Sequence, residues 1–213
     1  MSVEIHPPSG PIHSLKEFLL HLLTITAGVL IALGLDNVVE WRHHRHLVHQ
    51  ATENLVREIR ENREGLGRGI TQMDKIQGQL EAILQAVHRL QADRTATPGN
   101  LTLDVSFTTL STTAWGTASG SGAVSYMEYE ALGHYTRIYD LQHVFMTVQQ
   151  RATDSLLELE SFGALLQGDR KRISDVQTVD AERAVGRALA ATGAAEDIAK
   201  ALDVEYGRFL TAR

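Results

Sequence analysis

The chain contains no cysteine. That excludes disulfides, thiolate zinc sites, iron–sulfur clusters and a cysteine nucleophile, and it leaves a reducing and an oxidising compartment equally open. Proline is scarce, at four residues, and aromatics make up 6% of the 213 positions, a shortage that argues against an all-β sandwich and for helices. Basic side chains are also in deficit. Lys and Arg total 20 against 26 Asp and Glu, a formal charge of -6, so no nucleic-acid partner is expected. What is present is a long apolar run followed by helical periodicity.

Residues 1–13 include Pro7, Pro8, Gly10 and Pro11, cannot propagate a helix and read as an extended arm. Ser14 and Glu17 then have the spacing of a capping box. Residues 18–35 read FLLHLLTITAGVLIALGL. At ~1.5 Å per residue this is roughly 27 Å of helix, against a hydrocarbon core of about 30 Å. Its large apolar side chains contribute on the order of -3 to -7 kcal/mol towards insertion, from which His21 and two glycines subtract. A cleaved leader fits poorly, because the apolar run is long, one Lys precedes it and no A-x-A site follows. A core helix apolar all round would need a larger surrounding core. Residues 14–36 are therefore predicted to form one transmembrane helix, with the lipid bilayer as the first partner.

Lys16 and the amino terminus oppose Arg42 and Arg45, so the positive-inside count is nearly tied and charge leaves the orientation open. Within the span, Thr24, Gly28 and Ala32 recur every fourth residue, with His21 one turn earlier. Such a stripe allows close helix–helix approach, which makes these four the expected membrane packing residues.

No proline interrupts residues 12–97. Leu55, Ile59, Leu66, Ile70, Met73, Ile76, Leu80, Ile83, Val87 and Leu90 step by threes and fours, with Asn62 in the gap. Residues 37–94 are thus predicted to be a long helix that packs on another helix. Gly65, Gly67 and Gly69 each weaken it by roughly 1 kcal/mol relative to Ala, and the seam keeps phase across them, so continuity is expected. Residues 95–125 are expected to be an irregular connector, with an extended packing segment at 101–107 and a Ser/Gly-rich turn at 116–123. From 126 to about 166 a second pattern of threes and fours offers an antiparallel partner. Shorter helices at about 176–191 and 194–211 follow, divided at Thr192 and Gly193. The predicted fold is all-α: one amino-terminal transmembrane helix continuing into a long antiparallel helical hairpin or bundle.

Two stretches resemble a widespread family of uncharacterised bacterial single-pass membrane proteins with an N-terminal membrane helix and a helical soluble domain. They are TAGVLIALGLDN at 26–37, with Trp41 beyond it, and TAWGTASGSG at 113–122, leading to Tyr139. The resemblance covers about the first 165 residues. It implies the bacterial inner (cytoplasmic) membrane and no assigned activity. The proline-bearing arm departs from relatives that are basic there, so no orientation carries over.

Trp41, Arg42 and Arg45 are candidates for an interfacial anchor among lipid headgroups. Glu40, His43, His46 and His49 are the candidate metal ligands, since Glu-x-x-His is the spacing used in di-iron bundles. The set lacks a second such motif, Asp140-x-x-His143 being a different one. Because imidazoles titrate near ~6.5, a pH-responsive cluster is a further possibility. The Ser/Gly stretch lacks the Lys-Ser/Thr of a phosphate loop and is out of frame for G-x-S-x-G. Trp115 reads as a core anchor. His134, Tyr135, Tyr139, Asp140 and His143 supply no nucleophile with an oriented base. The expectation is a non-catalytic interaction or structural module without a cofactor, self-associating or belonging to a larger membrane complex. Ligand or pH sensing, and metal binding, are the alternatives.

Overall fold

A computed structural model describes residues 15–93, 95–97, 99, 101–163 and 174–212, apart from the Glu17 side chain. The arm at 1–13 and the capping box of Ser14 and Glu17 lie outside the described residues, as does the end of the second pattern near 166. The chain is helical throughout apart from its connectors, with no strand among the described residues. The elements are α1 (Leu15–Ala92), α2 (Thr113–Gly120), a 3-10 turn (Ala123–Tyr126), α3 (Tyr129–Glu160) and α4 (Asp175–Thr211). Two compact units result, Met1–His49 and Gln50–Arg213.

In the first unit, the apolar part of α1 has a window of mean hydropathy 2.3, none of it buried by protein. This is the one helix among the described residues long and apolar enough to cross a membrane.

In the second unit three helices share a core, and each presents a heptad. On α1 the buried positions run Leu55, Ile59, Asn62, Leu66, Gly69, Met73, Ile76, Leu80, Ile83, Val87 and Leu90. The spacing alternates four and three without a break, so one stripe of α1 faces the core along the whole unit. Ile70, predicted on the seam, is only half-buried; Gly69 takes its place. The helix is continuous through the three glycines, as expected. On α4, Thr178, Ala181, Val185, Ala188, Thr192, Ala195, Ala199, Leu202 and Tyr206 keep the same rhythm. Because the seam passes through Thr192, the predicted break at Thr192 and Gly193 does not occur, and one helix replaces two. Ser174 and Gln177 start it with a reciprocal capping box. Ala181, Ala184, Ala188, Ala195 and Ala199 are buried outright, so this face of the helix packs closely.

The pairing differs from the simple hairpin. Glu58 meets Tyr139 and Asn62 meets Gln142, so α1 and α3 run parallel. The antiparallel partner of α1 is α4, through Arg63 to Asp203, Gln77 to Glu196 and Gln91 to Glu182. The reason lies in the connector. Asp104 meets Gln79 and Gln72, and Ser111 meets Asn62, so the chain retraces α1 as an extended segment before α3 begins. Extended chain advances ~3.3 Å per residue and helix ~1.5 Å, so about twenty residues can retrace over thirty. Leu101, Leu103 and Val105 pack partly buried against the core formed by Ile76, Leu80, Ile83, Leu156 and Val185, which matches the expected packing segment. The expected Ser/Gly turn is instead the helix α2, closed by Gly122 at φ 77, and α3 begins at Tyr129 rather than 126.

Candidate functional site

The extended segment has no strand beside it, so its backbone groups need other partners. Side-chain amides supply them. Gln149 receives the Thr108 N–H at 3.3 Å and donates to the Thr108 carbonyl at 2.8 Å. Asn62 does the same for Ser111, receiving its N–H at 2.8 Å and donating to its carbonyl at 2.7 Å. Gln142 donates to that same carbonyl at 2.8 Å. At Gly69 the strap approaches so closely that a Cβ would lie 1.9 Å from Thr108 Oγ1, which explains a glycine on the seam.

Around Ser111 the contacts converge on Glu58, a carboxylate only 7% exposed. Oε1 accepts from the Tyr139 hydroxyl at 2.7 Å, and Oε2 accepts from Ser111 Oγ at 2.6 Å and the Ala114 N–H at 2.9 Å. Thr112, at the start of α2, makes no side-chain cap, so Glu58 caps that helix from α1. No ion pair to Glu58 is found among the described residues. Next to it, Gln142 Oε1 accepts from the Tyr206 hydroxyl at 2.7 Å and from Asn62 at 3.2 Å, tying α4 to α3 and α1. Burial, reinforced by the hydrogen bond to and negative charge of Glu58, pushes the Tyr139 phenol far above its usual range. Burial first, then the Glu58 charge, raises Tyr206. Both phenols therefore stay protonated donors. Half-buried Trp115 stacks on Tyr139, with centroids 5.2 Å apart and planes 17° from parallel. With three donors on its two oxygens, Glu58 is held as an anchor, and the layer sets the register of three helices and the strap.

Tyr135 and Tyr139 are both buried, while His134, Asp140 and His143 are exposed. Glu58, Ser111, Gln142, Gln149 and Tyr206 escaped notice. The available signal was the strict alternation of three and four from Tyr135, which lands on Gln142 and Gln149 in place of the apolar Leu141 and Val148.

In the first unit, His21, Thr24, Gly28 and Ala32 are exposed, and Thr24 Oγ1 turns back to the Leu20 carbonyl at 2.8 Å. A Cβ on Gly28 would meet nothing within 4 Å. Of the candidate ligands, Glu40 approaches His44 rather than His43, at 3.9 Å, and His43, His46 and His49 are exposed. No group of three or more metal-binding side chains forms among the described residues. Arg45 lies over the Trp41 ring, 4.8 Å from its centroid. No protein-family model, no curated protein and no solved structure matches this chain.

Proposed function

We infer that the chain is a single-pass, membrane-anchored helical module of the bacterial inner membrane, non-catalytic, and a subunit of an oligomer or of a larger membrane complex. The observation that carries this reading is the contrast between the two units. Leu19, Leu23, Ile31 and Leu35 are each more than half exposed, whereas Leu55, Ile59, Leu66 and Leu80 are fully buried. An uncovered apolar helix of that length is unfavourable in water, and lipid is the solvent that suits it. The resemblance to bacterial single-pass proteins points the same way. Thr24, Gly28 and Ala32 are the proposed contact stripe to a neighbouring helix.

Alkaline extraction of native membranes, followed by crosslinking, tests the reading. The chain is expected to stay with the membrane fraction and to yield specific higher-mass adducts. Release into the soluble fraction defeats the anchor, and recovery solely as a monomer defeats the subunit role.

A further inference from the structure

We propose that Trp41, Arg42 and Arg45 form a one-sided cationic and aromatic face that binds the phosphate groups of anionic membrane lipids. The inference rests on the membrane-anchored reading above and adds to it a lipid class and a set of contact residues.

At ~100° per residue, Asp36 and Glu40 lie within about 40° of each other on α1, and Trp41, Arg42 and Arg45 share an arc of about 100° on roughly the opposite side. The charges are few but segregated. Glu40 turns to His44 on its own face, at 3.9 Å, and leaves the arginines alone. Neither Arg42 nor Arg45 has a hydrogen-bonded or ion-paired partner among the described residues. Arg45 Cζ lies over the Trp41 ring, 4.8 Å from its centroid, a contact with the ring face that occupies none of the guanidinium N–H donors. Those donors are the groups that pair with a phosphate.

Depth supports the same occupant. Trp41 follows Leu35 by roughly 9 Å of helix, and the headgroup layer extends about 5–8 Å beyond the hydrocarbon on each side. Helical side chains lean towards the amino terminus, here towards the apolar run, and Arg45 folds back one turn over Trp41, which sets its charge at about the depth of that ring. Trp41 itself is 57% exposed, with its ring available to the interface.

The chain has two tryptophans, Trp41 and Trp115, so the full-length Trp115→Phe protein reports from Trp41 alone. It is reconstituted in phosphatidylcholine bilayers containing a small equal fraction of acyl-brominated phosphatidylglycerol or acyl-brominated phosphatidylcholine, and fluorescence quenching is compared. The anionic lipid is expected to be enriched around Trp41 roughly three- to fivefold, as expected for a cationic side chain at an anionic surface. Arg42→Gln with Arg45→Gln is expected to equalise the two lipids while both still quench. Asp36→Asn with Glu40→Gln is expected to leave the preference in place. Equal quenching in the parent, or a preference that survives loss of both arginines, overturns the proposal and leaves the anchor standing. Failure of the protein to float with the bilayers on a density gradient overturns the anchor itself.

Discussion

Single side chains separate two kinds of glycine in α1. At Gly67 a Cβ would meet nothing within 4 Å, so Gly67→Ala is expected to stabilise the helical domain by about 1 kcal/mol through helix propensity alone. At Gly69 the same change drives a methyl into Thr108, whose backbone Gln149 clamps from both sides. Gly69→Ala is therefore expected to cost roughly 1–3 kcal/mol, partly relieved by Thr108→Ala. Urea unfolding of the detergent-solubilised chain, followed by helical circular dichroism, measures both, and equal effects would sink the distinction. A third residue carries an unmet need: the Thr192 hydroxyl is buried without a hydrogen-bond partner among the described residues. Thr192→Val keeps the shape and removes that group, so the same unfolding assay should register a gain of about 1 kcal/mol. Sequence alone displays these glycines and this threonine as equivalent punctuation, because what distinguishes them is the atom facing each one.

Among the elements, α2 depends most on a distant residue. It is eight residues long, lacks a side-chain cap of its own and takes Glu58 instead. Glu58→Ala removes acceptors from Tyr139, Ser111 and Ala114 together, and a loss of roughly 3 kcal/mol is expected, with Glu58→Gln recovering part of it. Hydrogen exchange should show α2 amides losing protection in Glu58→Ala before those of the α4 core; uniform loss across the bundle would refute the capping role. The heptad on α4 explains why residues resembling a turn, Thr192 and Gly193, stay helical: each turn buries an alanine or a larger side chain against its neighbours, which outweighs a local preference of about 1 kcal/mol. Surface pairs such as Arg187 with Glu158 at 2.6 Å and Arg137 with Glu205 at 3.1 Å join α3 to α4, but both arginines are more than half exposed and such pairs contribute little.

For the molecule as a whole, the buried phenols couple folding to pH. Tyr139 and Tyr206 both have folded-state values raised above the ordinary 10.0. The unfolded chain therefore releases these protons first as pH rises. Their stabilising contribution is complete below about pH 10 and is lost progressively above it. Alkaline titration should show tyrosinate absorbance for these two appearing together with loss of helical signal, and Tyr139→Phe should move that transition. Ionisation of all tyrosines with the helices intact would contradict it.

The apolar run, the long helix, its continuity across three glycines and the all-α class were legible in sequence. Those features depend on hydrophobic length and on a period of 3.6, which neighbouring residues along one chain already carry. The parallel course of α1 and α3, the strap between them, the position of Gly69 on the seam and the layer around Glu58 were decided in three dimensions alone. Periodicity states which face of a helix is buried but carries no sign for the direction of its partner, and a hydrogen bond between residues 58 and 139 has no local signature in either segment.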